Sequence, residues 1–207
     1  HLRAFKKLTH LDISGTQISD AGLAHLRGMT SMQDLAIGDN PQITDTGLVN
    51  LHGLQGIRRL LLSGSGVTDA GLVQLENMVF LEDLALANTQ ITDDGLAQLQ
   101  AFPELEQLFL SGSQISDAGL VHLSVMTGLT RLSLSGPLIT DAGLPHLASL
   151  TALDELWITD SVVTDAGLVH LHSLTKLSQL DLTDTPVTAH GIKKLQSAIP
   201  ALSIRWD

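Results

Sequence analysis

Three sets of side chains recur at regular spacing along this 207-residue chain and are of types that can do chemistry. Seven aspartates, Asp20, Asp45, Asp69, Asp93, Asp117, Asp141 and Asp165, follow one another at a near-constant interval. Rows of carboxylates are the oxygen donors that calcium takes at about 2.3–2.6 Å. His122, His146 and His170 recur at the same interval and offer the imidazole nitrogens that zinc binds. Leu61, Phe109 and Trp157 recur at twice that interval and offer apolar surface to a partner. There is no Cys, so disulfides and thiolate metal sites are excluded while the redox compartment stays open. No nucleophile, base and orienting group stand together outside the recurring pattern, and no Gly-rich phosphate loop follows a strand. Catalysis is not expected, and no cofactor is implied.

Charge narrows the partners further. Eleven basic against twenty-two acidic residues give a net charge of −11, which repels a polyanion. No basic stripe with interleaved aromatics appears either, so nucleic acid is not an expected partner. The chain has no signal-peptide pattern and no run of eighteen apolar residues, so no membrane partner is expected.

The elements that must position these side chains come from one phrase written eight times: QISDAGLAHL from Gln17, QITDTGLVNL from Gln42, GVTDAGLVQL from Gly66, QITDDGLAQL from Gln90, QISDAGLVHL from Gln114, LITDAGLPHL from Leu138, VVTDAGLVHL from Val162 and PVTAHGIKKL from Pro186. A fixed short period is the signature of a solenoid, in which no unit buries its apolar face alone and stacking supplies the core. Upstream of each phrase sits L-x-x-L-x-L, as in Leu8, Leu11 and Ile13 or Leu105, Leu108 and Leu110. Its last two apolar positions alternate with other residues, as in a strand with one buried face.

Each phrase reads as a short helix. A Ser or Thr such as Ser116 stands at the N-cap in all eight copies, and an Asp such as Asp117 opens the first turn in seven. The hydroxyl accepts from an orphan amide and the carboxylate suits the helix N-terminal field. Ile115 and Leu120 then have the spacing of a hydrophobic staple. Gly119 falls at the third helical position, on the face shared with Leu123 and Met126. A glycine there forgoes about 1 kcal/mol against Ala, and it recurs in every copy. Close approach of the helix to its own strand or to the neighbouring turn, which a Cβ would prevent, is the expected compensation.

The consensus L-x-x-L-x-L-x-x-[T/S/N]-x-[I/V]-[T/S]-D-x-G-L-x-x-L resembles leucine-rich repeats across the whole chain. It is nearest the ribonuclease-inhibitor-like and cysteine-containing subclasses and bacterial proteins with T-D-A-G-L repeats. The resemblance implies an α/β solenoid, a horseshoe or arc with a parallel β-sheet on its concave face and short helices on its convex face. It also implies that the usual activity is binding other proteins. The position that is Asn or Cys in better-known members is Thr16, Asn40, Ser65, Thr89, Ser113, Pro137, Ser161 and Thr185 here. Only Asn40 has the amide that satisfies loop backbone groups; hydroxyls do part of that work and Pro137 none.

These positions divide the chain into a single repeat domain, 1–207. Residues 1–7 are the second half of a truncated repeat, 8–198 are eight repeats of about two dozen residues each, and 199–207 a C-terminal cap strand. His1-Leu2 aligns with His25-Leu26, so the chain opens inside a repeat and upstream sequence is expected. The uncapped start, with Leu2, Phe5 and Leu8, is expected to self-associate weakly. At the other end the eighth copy has Ala189 for Asp and adds Lys193 and Lys194, and Trp206 is expected to cover the last turn.

On each strand the residues between the leucines face the concave side. One row there reads His10, Asp34, Arg59, Asp83, Gln107, Arg131, Glu155 and Gln179. The next reads Asp12, Ala36, Leu61, Ala85, Phe109, Ser133, Trp157 and Asp181, alternating large apolar with small residues over its middle. At the usual strand spacing the large ones stand roughly 10 Å apart with recesses between them. Leu61, Phe109 and Trp157 as anchors, bordered by Arg59, Arg131, Asp83, Gln107 and Glu155, describe a binding site for a protein or peptide. The competing reading is that the arc buries these residues against one another. A structural array without a ligand, or the recognition part of a larger adaptor or enzyme, are the alternative functions.

Metal chemistry fares worse. Adjacent helices lie about 8–10 Å apart, too far for successive Asp or His side chains to share an ion. A last row, Ala24, Val49, Val73, Ala97, Val121, Pro145 and Val169, falls opposite the core on a helical wheel. Either these helices are too short for the wheel to hold, the favoured reading, or the convex face carries a second patch.

Overall fold

The computed structural model describes residues 5–207; His1 and Leu2, at the head of the truncated half-repeat, lie outside the described residues. Nine strands form one open parallel sheet in chain order: β1 His10–Asp12, β2 Asp34–Ala36, β3 Arg59–Leu61, β4 Asp83–Ala85, β5 Gln107–Phe109, β6 Arg131–Ser135, β7 Glu155–Thr159, β8 Gln179–Asp181 and β9 Ser203–Arg205. Equivalent residues pair throughout, so Leu84 sits beside Leu60 and Leu108. The strands are short because their two inward leucines do all the anchoring. Leu60, Leu84, Leu108, Leu132 and Leu156 are fully buried, as are Leu62, Leu86 and Ile158. A row of residues one step off this register would face the opposite side.

After each of the first eight strands the backbone turns through the left-handed region. The residue that does so is Gly15, Asp39, Gly64, Asn88, Gly112, Gly136, Asp160 or Asp184, always one of the three types that tolerate a positive φ.

The return limb is helical for little more than a turn. α1 (Asp20–Leu23), α2 (Asp45–Leu48), α3 (Asp69–Val73), α4 (Asp93–Gln98) and α5 (Asp117–Leu120) are single turns or slightly longer. The next two copies have only 3-10 turns, at Leu144–Leu147 and Gly167–Leu171. The last copy, α6 (Ala189–Ala198), reaches ten residues. The expected Ser/Thr cap is only partly realised. Thr68, Ser116, Thr140, Thr164 and Thr188 accept from an amide two residues on. Ser19, Thr44 and Thr92 make no such bond.

Those hydroxyls have another partner, one that local capping does not anticipate. Each Asp of the phrase reaches to the next repeat and accepts from both the amide and the hydroxyl of its Ser or Thr. Asp20 holds Thr44 (N 2.8 Å, Oγ1 2.7 Å), and Asp93 holds Ser116 (N 2.8 Å, Oγ 2.5 Å). Thr68, Thr92, Thr140, Thr164 and Thr188 are held in the same way by Asp45, Asp69, Asp117, Asp141 and Asp165. The helix-terminal field is therefore the lesser reason for these carboxylates. The repeat's glycine completes the clamp: a Cβ on Gly47, Gly71, Gly95, Gly119, Gly143, Gly167 or Gly191 would collide with the carboxylate of the preceding repeat. The close approach expected from the glycine's helix cost is thus an approach to the neighbouring turn.

Loop polar groups are satisfied unevenly. Asn40 donates from Nδ2 to the carbonyls of Ile13, Ile37 and Gly38 and accepts from the Ile18 amide, binding two repeats together. Thr16, Thr89 and Thr185 each donate to one carbonyl three residues back, and Ser113 to the Leu86 carbonyl of the preceding repeat. The buried Ser65 hydroxyl has no partner. At the C-terminal end Ile199 and Leu202 are buried, while Trp206 is 37% exposed.

Candidate binding face

The sheet presents its outward residues as two parallel ladders. Because every strand is in register, position one of each strand makes the polar row and position three the mixed row. All eight candidate residues lie on this face: Arg59, Asp83, Gln107, Arg131 and Glu155 in the first row, Leu61, Phe109 and Trp157 in the second.

The second row departs from the expected spacing. Phe109 and Trp157 are two strands apart, yet their ring centroids are 6.2 Å apart with planes tilted by 46°. They lean together over Ser133, which is only 8% exposed, so the recess expected there is closed. The physical reason is that a small residue between two large ones leaves space that the rings fill, gaining a tilted aromatic contact. The two aromatics thus form one partly exposed platform rather than two separate anchors. Ser111 and Ser133 hydroxyls hydrogen-bond to each other beside it. Leu61 stands apart, two strands from Phe109, with Ala36 and Ala85 on either side 6% and 9% exposed.

The first row is internally compensated. Arg59 Nε lies 2.9 Å from Asp83 Oδ2, with Asp34 at 3.8 Å on its other side. Arg131 lies 2.8 Å from Glu155 and 3.4 Å from the Gln107 side-chain oxygen. Both guanidinium groups remain about half exposed, their side chains at 50% and 44%. Asp83 is the most constrained: burial pushes its carboxyl above the ordinary range, against the opposing pull of Arg59. Its Oδ1 is buried without a hydrogen-bond partner. Two shallow recesses flank the platform along the face. One of about 290 Å³ is lined by His10, Asp12, Asp34, Arg59 and Leu61, and one of about 210 Å³ by Trp157, Gln179, Asp181 and Arg205.

Among the described residues no three His, Asp or Glu side chains come together as a metal site. The aspartate row is engaged in the inter-repeat clamp, and no helix of the described residues is long and apolar enough to cross a membrane. The convex row is exposed, with Val49 at 47%, Val73 at 44%, Val121 at 45% and Val169 at 39%. The helices are indeed single turns, but the wheel holds over that one turn, which corrects the favoured expectation.

The leucine-rich repeat family profile described as "Leucine Rich repeat" matches residues 6–26, 28–51 and 77–99, each segment spanning one turn of the array. Among solved structures, internalin C2 from Listeria monocytogenes superimposes with a TM-score of 0.78 at 26% identity, over 99% of this chain and 84% of that one. The chain carries leucine-rich repeats and has the leucine-rich repeat solenoid fold. A second internalin from the same organism, InlF, shares the fold with a TM-score of 0.75 at 20% identity. This leucine-rich repeat chain aligns over its full length there but spans only 62% of that protein. No match appears among curated protein sequences. Leucine-rich repeat proteins typically act as protein-interaction modules without catalytic activity.

Proposed function

We propose that this protein is a non-enzymatic module that binds a protein or peptide on the concave face of its sheet. The observation that carries the reading is the Phe109–Trp157 platform, an aromatic pair left partly open to solvent on a wall whose Arg59 and Arg131 are already paired. Interface energy concentrates in such aromatic and Arg-rich clusters, and groups around them act mainly by excluding water. A ligand side chain laid across the platform desolvates apolar rings and disturbs no unpaired charge. Arg59 and Arg131, fixed by their acidic neighbours yet half exposed, keep donors available for a ligand carbonyl or carboxylate. Leu61 extends the apolar contact toward the N-terminal repeats.

The test uses a phage-displayed random peptide library panned on the folded protein. Peptides recovered on the wild type should lose about thirtyfold in affinity, roughly 2 kcal/mol, when Trp157→Ala or Phe109→Ala is introduced. A library that yields no binder sensitive to either substitution favours instead an array that only sets spacing.

A further inference from the structure

The repeats supply their own control for what each position needs, and three successive copies depart from it within the connection that enters the strand. In the connection entering a strand, the residue four places before the strand is Thr30, Thr127, Thr151 or Thr175 in four copies, but Val79 before β4 and Pro103 before β5. The place after Val79 holds Phe80 where other copies have Ser31, Gly56, Glu104, Gly128, Ala152 or Lys176, all small or charged. Before β6, Val125 stands where the two following copies have Ser149 and Ser173. None of these substitutions serves the core: Val79 is 44% exposed, Phe80 51% and Val125 64%. Core-facing leucines in the same connections, Leu81, Leu105 and Leu129, are kept buried. Apolar residues gathered on one rim, where the scaffold elsewhere uses small or polar residues, mark an interaction surface rather than a packing need.

A recess completes the feature. Between the entries to β5 and β6 lies a cavity of about 170 Å³ whose wall includes Phe102, Pro103, Val125 and Met126. A volume of that order holds one ring or branched aliphatic side chain. Phe80, at the entry to β4, lies under the Arg58 guanidinium, 5.9 Å from the ring centroid, which also pairs with Glu82.

Charge says what kind of partner fits. From Arg59 to Arg131 the chain has no intervening Lys or Arg. Four of its five glutamates, Glu76, Glu82, Glu104 and Glu106, fall beside the apolar positions. Among the described residues only Glu82 of these four is in an ion pair. We propose that this rim is a second docking site, independent of the concave face, for a segment of a partner protein that carries apolar side chains flanked by Lys or Arg. The apolar side chains cover Phe80 and Val125 and fill the recess, while the flanking cations meet Glu104 and Glu106.

The experiment is panning of a displayed random peptide library in the presence of excess concave-face peptide, followed by affinity measurement on wild type, Phe80→Ser, Val125→Ser and Trp157→Ala. Both rim positions are exposed, so unchanged melting temperatures verify folding. The expected result is a set of apolar peptides with Lys or Arg flanks that lose at least tenfold on Phe80→Ser or Val125→Ser and keep their affinity on Trp157→Ala. Their affinity should also fall as salt is raised. Recovery of no peptide sensitive to the rim substitutions overturns the proposal, as does enrichment of uncharged or acidic peptides. Sedimentation showing that copies of this chain pair through the rim, with pairing abolished by Phe80→Ser, overturns it as well.

Discussion

The carboxylate of Asp93 occupies the space in which a Cβ on residue 119 would lie, so the bare backbone of Gly119 and the acid of the preceding repeat are two halves of one joint. The same acid accepts from the Ser116 amide and hydroxyl. A stack of repeats gains little from one leucine layer alone unless neighbouring turns are also fixed in register, and this clamp fixes them at seven places.

The joint carries its own control. Gly22 occupies the same place in the first phrase, and among the described residues a Cβ there would meet only the Ile18 side chain, at ordinary contact distance. Gly119→Ala should therefore lower stability by about 2–4 kcal/mol, because the displaced carboxylate loses charge-assisted hydrogen bonds. Gly22→Ala should leave stability unchanged or raise it by up to about 1 kcal/mol through helix propensity. Urea unfolding of the two variants decides the matter; equal losses would show that the glycines serve conformation rather than the clamp.

The clamp at the C-terminal end should respond to acid. Hydrogen bonds from the Thr188 hydroxyl and amide hold the Asp165 carboxyl below its ordinary value of 3.8. A depressed folded-state value means that the contribution is fully present above the unfolded value and is lost as pH falls through the folded one. Protection of the Thr188 and Gly191 amides against exchange, taken relative to the intrinsic rate at each pH, should accordingly fall below pH 3.8. In Asp165→Asn the acid-dependent part of that loss should vanish. An identical pH profile in both proteins would detach α6 from this carboxylate.

The solenoid and the rows that face outward were legible because both depend on periodicity, and a period repeated eight times averages out local ambiguity. The clamp was not legible for a definite reason. A Ser or Thr followed by Asp at a helix start is explained well enough by local capping, so nothing along the chain signals that Asp93 bonds forward to Ser116 in the next repeat. The one available hint was the glycine, whose unexplained helix cost pointed to something close by. The closing of Phe109 on Trp157 was hidden for another reason: strand spacing fixes backbone positions, whereas side chains of this length span the gap over Ser133. The left-handed turn was readable from the Gly, Asp or Asn at residues 15, 39, 64, 88, 112, 136, 160 and 184, a signal that the more conspicuous phrase obscured.

Loop satisfaction should set a second gradient of stability along the array. Asn40 makes four hydrogen bonds across two repeats from a fully buried position. Removing it strands several backbone groups, so Asn40→Ala should lose about 2–4 kcal/mol. The equivalent Ser65 hydroxyl has no partner and is 5% exposed at the residue level. Ser65→Ala deletes an unsatisfied group while keeping the backbone, and should be neutral or stabilising by up to about 1 kcal/mol. Thermal unfolding of both variants is the check, and a large loss in Ser65→Ala would require a bonded partner for that hydroxyl.

The aromatic platform should behave as one unit before any ligand arrives. Because the two rings lean on each other across Ser133, removing either uncovers the other and the serine beneath. In a Trp206→Phe background, where Trp157 is the remaining tryptophan, Phe109→Ala should increase acrylamide quenching of the indole. A double-mutant cycle of Phe109→Ala and Trp157→Ala on stability should return a coupling of about 0.5–1.5 kcal/mol, the range for tilted aromatic pairs. Leu61→Ala, two strands away on the same row, should add to either change without coupling, since it shares no ring contact. Coupling near zero between the aromatics would mean that they stand separately in solution, and the platform would then have to be assembled by the ligand at a cost to affinity.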